Sequence, residues 1–297
     1  MGSFTKSGSA GFIGRHAVSE LQRRGHHVVI GSRHANGSGY NMRIRVRLHE
    51  TLTVSAWQPI IAGFDTVLNC VGILRERIGE SYDAVHRLAP AALAQACAKS
   101  NIRLVHVSAL GLSADALSRF LRSKFAGEQA ITTSGADYSI VRPSLLDGVD
   151  GFGSRWLRRV ADWPIQCVPA DARGRIAALD VDELGEALAK LCEMRACTAH
   201  REVELGGNVE ATLVELLGAL RTRPFAPYLI IKVPAFLVRL AAHAFDAMHL
   251  TPLSWGHVEL MRRDNCPSQA LSKLAMLLGR APKQVDRRTT LKWKMSE

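Results

Sequence analysis

Gly8-Ser9-Ala10-Gly11-Phe12-Ile13-Gly14 spells G-x-x-G-x-x-G near the start of the chain. The residues after it read as a helix over 15–24, with Ala17, Val18 and Leu21 on one face. Glycines let a backbone turn tightly and approach a phosphate, and a helix N-terminus offers unpaired N–H groups and a positive dipole end. The pattern suits the pyrophosphate of a dinucleotide; taken alone, it would also suit a surface turn. The next strand-like run, Val28-Val29-Ile30, leads into Gly31-Ser32-Arg33. That point lies about twenty residues past the last glycine, where an acid would bind the ribose 2′-OH of NAD. No acid stands there. Ser32 and Arg33, with His34 beside them, would instead receive a 2′-phosphate, so NADP(H) is expected in preference to NAD(H).

Outward from this loop, strand-like and helix-like segments alternate. Thr66–Cys70, Leu104–Val107 and Tyr138–Val141 read as strands, separated by helical patterns over 83–99 and 116–133. Short, almost continuously apolar strands joined by helices predict an α/β fold, a Rossmann-type doubly wound parallel sheet. Beyond about residue 143 the rhythm loosens: a strand over 175–179, a helix over 181–193, a strand over 203–205 and a helix over 212–220. We expect a small substrate-side lobe within about 143–222, inside a dinucleotide-binding domain of residues 1–222. From Pro224 onward the pattern is helical (234–249, 255–263, 268–279). Residues 223–297 therefore read as an α-helical C-terminal extension, ending in a basic tail with Lys283, Arg287, Arg288, Lys292 and Lys294.

The 297 residues include 38 Lys+Arg against 27 Asp+Glu, a formal charge of +11, and 47% hydrophobic residues, which excludes a disordered or fibrous chain. The charge favours acidic partners such as phosphorylated ligands, anionic lipid or nucleic acid, without choosing among them. Nucleic-acid binding would want aromatics interleaved with the basic residues, and none is placed so; no specific nucleic-acid partner is expected. Six scattered cysteines with no C-x-x-C argue against a zinc ribbon or disulfide framework and for a reducing compartment. No metal-ligand spacing, G-x-S-x-G or Walker lysine is present. The N-terminus lacks an apolar signal-like run. Pro224–Leu250 is broken by Lys232, Pro234, Arg239 and His243, a poor spanning segment. A cytoplasmic protein is expected, peripheral to a membrane at most.

Five segments in order, SGSAGFIGRH, NCVGIL, VHVSALG, F-L-R-S-K and IVRPSLLDG, resemble the atypical or extended short-chain dehydrogenase/reductase superfamily. Within it the likeness is to NmrA-like proteins and to the nucleotide-binding accessory subunit of respiratory complex I. It covers about residues 7–220 and extends more weakly to Trp255–Leu260 and Asp264-Asn265. The resemblance implies that Gly8, Ser9, Gly11, Phe12, Ile13 and Gly14 cradle the pyrophosphate and that Ser32 and Arg33 face the adenosine ribose. It implies that Asn69, Cys70, Val71 and Gly72 line the coenzyme, that Val107 and Ser108 lie beside the nicotinamide ribose, and that Pro143 and Ser144 close over the nicotinamide. Two departures stand out. Gly2–Lys6, where the family has a strongly apolar strand, supplies only Phe4 as a bulky apolar residue. Arg47-Leu48-His49-Glu50 stands where the family often has an Asp near the adenine.

Hydride-transferring members of this superfamily use a Ser, a Tyr-x-x-x-Lys pair and the coenzyme, the Tyr hydroxyl moving the proton at the reacting oxygen. Ser108 and Lys124 are present, but the position four before Lys124 is Phe120. Phenylalanine has no titratable proton and no hydrogen-bond donor. The expectation is a coenzyme binder in a structural, sensing or complex-accessory role, Ser108 and Lys124 being remnants of the catalytic set. The competing reading is an NADP-dependent oxidoreductase, or an epimerase- or dehydratase-like enzyme, that recruits another proton donor. Tyr82 and His86 are the candidates for that donor, with a packing role as the plainer alternative.

His106 reads as a satisfied core histidine, and Asp180 and Asp182 as helix-capping and first-turn acids. Arg43, Arg45 and Arg47 alternate with apolar residues as in a strand with one cationic face, most simply a charged edge. Arg155, Arg158 and Arg159 fall together on a helix. Pro234–Met248 is amphipathic and very apolar. Core packing is its default, with docking to a protein complex or to a membrane surface, helped by the basic tail, as the alternatives.

Overall fold

The glycine-rich stretch falls between a strand and a helix. The computed structural model describes residues 2–6, 11–33, 42–194, 201–223, 225–248 and 254–283. Its elements run β1 (Gly2–Lys6), α1 (Phe12–Arg23), β2 (His27–Ser32), β3 (Arg43–Arg45), α2 (Val54–Ile61) and β4 (Thr66–Asn69). A π-helical segment (Asp83–Leu88) runs into α3 (Ala89–Ser100), followed by β5 (Arg103–Val107), α4 (Arg119–Thr132) and β6 (Tyr138–Pro143). Then come β7 (Leu146–Asp147), α5 (Phe152–Ala161), β8 (Ile165–Pro169), β9 (Arg175–Ala177), β10 (Leu179–Asp180), α6 (Val181–Glu193) and β11 (Glu202–Leu205). The chain continues with β12 (Glu210–Thr212), α7 (Leu213–Leu220), β13 (Leu229–Val233), α8 (Ala235–Met248), α9 (Trp255–Leu260) and α10 (Ala270–Leu278).

Two compact units emerge. One comprises Met1–Pro143 and Asp182–Glu204, the other Ser144–Val181 and Leu205–Glu297. The first holds a sheet in the order β11-β6-β5-β4-β1-β2-β3, with β1 to β6 paired in parallel. This is the doubly wound arrangement expected. Every residue of β4 and β5 is buried, as strands covered on both sides by helices require. Gly14, Ala17, Val18 and Leu21 form the buried stripe of α1. The sheet's hydrophobic cluster centres on Trp57, Ile61, Val67, Leu93, Leu104 and Ile140.

The thin first strand takes the central place: Phe4 pairs in register with Val29 on one side and Val67 on the other. Strand order reverses between β1 and β4, and in open α/β sheets that switch point is where ligands sit, outside the strand C-termini. β3 is the outermost strand, with Arg43 and Arg45 exposed. Arg47 lies past its end, in the turn that follows.

In the second unit Leu157, Val160, Val168, Leu213, Leu216 and Leu217 form one cluster, and Val238, Ala242, Trp255 and Val258 another. Here the structure departs from the helical reading after Pro224. Residues 229–233 form a strand parallel to 165–169, and neither strand was anticipated. A five-residue apolar run has the same periodicity whether strand or buried helix, so pattern alone does not decide it. The basic residues from Arg287 to Lys294 lie outside the described residues. Among the described residues no helix is long and apolar enough to cross a membrane.

Candidate coenzyme site

Within the first unit, Gly11 is the N-cap of α1 in extended conformation, and among the described residues no side chain caps the helix. The first turn carries no acid, so its N–H groups and dipole are left for an anion. Phe12, Ile13 and Gly14 make up that turn; Gly8 and Ser9 lie outside the described residues. At the end of β2, Arg33 is exposed and its guanidinium stands 3.4 Å from the Glu80 carboxylate, which also faces His49 at 3.7 Å.

Past β4, the Asn69 side chain folds the chain back. Its Oδ1 accepts the Val71 N–H at 3.1 Å, and its Nδ2 donates to His106 Nδ1 at 3.0 Å. Both residues are buried. Since Nδ1 accepts, the single proton of a neutral His106 sits on Nε2. Burial, with the Lys124 charge nearby, draws its pKa down to about 3. His106 is the satisfied core histidine expected from its strand. Cys70 comes next, its thiol pushed up by burial and so not a nucleophile at neutral pH.

The remaining groups converge from β5, α4 and the π-helical segment. Ser108 follows β5; its N–H donates to the Val141 carbonyl at 2.7 Å, but its buried Oγ has no partner among the described residues. A buried hydroxyl left open costs free energy, roughly 1–3 kcal/mol, unless a ligand or water completes it. Lys124 projects from α4, a helix started by Ser118, whose Oγ accepts the Leu121 N–H. A β-carbon built on Gly72 would lie 3.7 Å from Lys124 Nζ and 3.7 Å from His86 Nε2, so three segments meet here. Desolvation draws the Lys124 ammonium down to about 8, against the opposing pull of Glu128.

Phe120 lies one turn before Lys124 on α4. Its ring meets His86 edge-on at 5.4 Å and Tyr82 at 5.9 Å, while Tyr82 and His86 stack at 5.4 Å. His86 is engaged at both nitrogens: Nε2 accepts the Ile73 N–H at 3.1 Å, and Nδ1 bonds to Ser123 Oγ at 2.8 Å. Ser123 Oγ in turn donates to the Phe120 carbonyl at 2.9 Å. The chain of donors fixes one neutral tautomer, with the proton on Nδ1, and burial lowers the pKa well below the ordinary value. Tyr82 donates its hydroxyl hydrogen to the Leu74 carbonyl at 2.8 Å. The ring is held in place by close backbone contact. A β-carbon on Gly127 of α4 would fall 1.8 Å from the His86 carbonyl oxygen, so only glycine lets the helices pack this way. Sequence reasoning named His86 and Tyr82 but not Ser123 or Gly127, which carry no motif beyond the F-L-R-S-K segment and a small residue on a helix.

The other expected residues are placed as follows. Val107 is buried in β5, and Pro143 ends β6, its carbonyl accepting the Leu110 N–H at 3.2 Å. Ser144 belongs to the second unit, its N–H donating to the Leu205 carbonyl and its Oγ to the Asn265 carbonyl. Asp182 lies in the first turn of α6 and meets His16 of α1 at 2.5 Å. Arg155, Arg158 and Arg159 lie on α5, where Arg158 pairs with Asp147.

A doubly wound parallel sheet and, after its first strand, a helix whose N-terminus at Gly11 is capped by no described side chain define a dinucleotide-binding Rossmann protein. Residues 8–158, just over half of the chain, match the NAD(P)H-binding family, and the protein belongs to that family. Curated relatives bear out the resemblance read from the motifs. The mitochondrial NADH dehydrogenase [ubiquinone] 1 alpha subcomplex subunit 9 of Dictyostelium discoideum is 27% identical over 72% of this chain and 61% of its own length. A ceramide reductase of Caulobacter vibrioides is 24% identical over 63% of this chain and 59% of its own length. The chain thus spans less than two thirds of these relatives. Among solved structures, a nucleoside-diphosphate-sugar epimerase of Staphylococcus aureus superposes with a TM-score of 0.70 at 14% identity, over 96% of this chain and 98% of that one. MoeE5 in complex with UDP-glucose and NAD gives 0.63 at 20% identity, over 100% of this chain and 99% of that one. These likenesses establish the fold.

Proposed function

We propose that this protein holds NADP(H) as a structural or sensing ligand, in an accessory role within a protein complex, and does not run the tyrosine-dependent reaction of its superfamily. The observation that carries the reading is Phe120, packed against His86 where the hydroxyl should be. The nearest alternative acid, His86, has both ring nitrogens engaged and its proton committed to Ser123. Bound coenzyme would supply a hydride at its nicotinamide; the Phe120 ring offers no proton to accompany it, and the Tyr82 hydroxyl beside it is spent on the Leu74 carbonyl.

The binding residues fit the coenzyme. The first turn of α1 would take the pyrophosphate, with Gly8 and Ser9 completing the loop. Arg33 and Ser32 would take the 2′-phosphate, a charge-assisted contact. Asn69, Cys70, Val71 and Gly72 would follow the coenzyme along the end of β4. Ser108 Oγ would find its partner on the nicotinamide ribose side, Lys124 would hold the ribose hydroxyls, and Pro143 and Ser144 would close the site. We read residues 1–222 as the coenzyme-binding part with its lobe, and 223–297 as the extension that docks. Among the described residues five cysteines are free, in keeping with a cytoplasmic setting.

Calorimetry with NADPH and NADH tests the ligand. Tighter binding of NADPH is expected, and Arg33→Ala should cost about tenfold in NADPH affinity while leaving NADH nearly unchanged. Absorbance at the reduced nicotinamide band tests the chemistry. The wild type should consume no NADPH with a panel of carbonyl compounds or nucleotide sugars. Turnover that Phe120→Tyr leaves unchanged would overturn the accessory reading in favour of an enzyme with another proton donor.

A further inference from the structure

The second unit carries an apolar face that its own core leaves uncovered. In the β8–β13 ribbon the parallel register sets Leu229 beside Ile165 and Ile231 beside Cys167. Alternate residues of a strand point to opposite sides. Val168 and Ile230 turn onto the core with Leu157 and Leu217, and Gln166 is fully buried. The opposite side therefore presents Ile165, Leu229 and Ile231, which are 50%, 58% and 42% exposed, together with exposed Cys167. After Pro234 the chain enters α8 directly. Val238 and Ala242 pack inward with Trp255, while Phe236 and Leu240, one helical turn apart, stand 69% and 68% exposed. Trp163 before β8 and Phe225 before β13 are exposed as well. Singly exposed apolar residues are ordinary; a run of them along consecutive elements marks an interaction surface.

Charge selects the partner. From Leu216 to Phe245 there is no Asp or Glu, yet Arg221, Arg223, Lys232 and Arg239 are present. One acid, Asp162 beside Trp163, accepts hydrogen bonds from the Thr222 N–H and hydroxyl at 2.8 Å. Arg221 and Arg239 lie over the rings of Tyr228 and Trp255 at 4.1 and 5.1 Å. Aromatic and aliphatic side chains rimmed mainly by cations make up the composition of a surface that lies in the interface of an anionic bilayer.

We propose that the outer face of the β8–β13 ribbon and α8 seats this protein on an anionic lipid surface. The apolar side chains enter the interfacial region, and Arg223 and Arg239 meet the lipid phosphates. The inference is independent of the coenzyme reading.

Co-sedimentation of the full chain with vesicles tests it. Binding is expected to phosphatidylcholine vesicles containing roughly one-third phosphatidylglycerol, to weaken with added salt, and to fall well below detection of the same kind on pure phosphatidylcholine. The triple variant Phe225→Ser, Phe236→Ser, Leu240→Ser should bind about tenfold or more weakly. The control Ile78→Ser, Met276→Ser removes equally exposed apolar residues elsewhere and should bind like the wild type. Equal binding by the triple variant would overturn the proposal by assigning attachment to the basic tail. So would absence of vesicle binding, including the case of a stable dimer in sedimentation velocity that the triple variant dissolves, which would give the face to a second copy of the chain.

Discussion

In the dinucleotide-binding unit, β4 and β5 are buried at every position and the polar groups among them are spent on each other: Asn69 on His106 and Val71, His86 on Ile73 and Ser123. In the other unit the β8–β13 ribbon does the reverse. Gln166 is inside, bonded to the Ala161 carbonyl, while Ile165, Leu229 and Ile231 face solvent. The first pattern spends its polar groups on fixing the geometry of a site. The second leaves apolar surface unspent within the chain. A buried network that is fully satisfied rigidifies its surroundings, whereas an uncovered apolar face gains free energy only from a partner.

Four measurements would break or sharpen this contrast, and among the substitutions the first has the largest expected effect. Gly127→Ala drives a methyl into the His86 carbonyl, so the helix and the π-helical segment must part; thermal denaturation should show a loss of about 3 kcal/mol. A loss under half that size would mean the His86 network is not tightly held. Asn69→Ala strands the Val71 N–H and His106 Nδ1 in the interior, and a urea titration should register about 2 kcal/mol.

Acid should act on the same unit. The His86 and His106 rings are neutral in the fold, with pKa values below the ordinary 6.5. The unfolded chain therefore binds more protons below that pH, and stability is lost as pH falls below about 6.5, for the His106 ring down to about 3, at up to about 1.4 kcal/mol per pH unit. Denaturant midpoints measured across that range should decline, and His106→Gln should make the decline shallower. Lys124 has the same direction of shift at the alkaline end. Its folded pKa of about 8 lies below the ordinary 10.5, so its burial penalty is full below pH 8 and is relieved as pH rises toward 10.5. Last and smallest, Phe236→Ser or Leu240→Ser on the exposed face of α8 should change stability by no more than about 0.5 kcal/mol. A larger loss would show that this face is packed within the chain, and the contrast between the units would fail.

Much of the first unit was legible in the chain. Three spaced glycines before an apolar helical stripe, and short apolar strands at regular intervals, carry the topology, because strands covered on both faces have to be continuously apolar. Ser108, Lys124 and Phe120 were singled out by the superfamily resemblance, and spacing added that Phe120 and Lys124, at i and i+4, share a helix face. The state of His86 was not. Its burial, its fixed tautomer and the approach of Gly127 depend on a backbone carbonyl and a serine brought from another helix. The ribbon of the second unit was also hidden: Ile165-Gln166-Cys167-Val168 puts its polar residue inward, opposite to what alternation suggests.

By itself, then, the order of residues determined an α/β dinucleotide-binding fold, the glycine-rich stretch before its first helix and a phenylalanine one helical turn before Lys124. These rest on periodicity and on residue chemistry, both local properties. Only the tertiary structure decided that the neighbouring histidine is locked and that, among the described residues, the serine hydroxyl is left open and an apolar face of the second unit stays uncovered. Those outcomes depend on which groups compete for the same donor or the same buried space, and that competition exists only once distant segments are packed together.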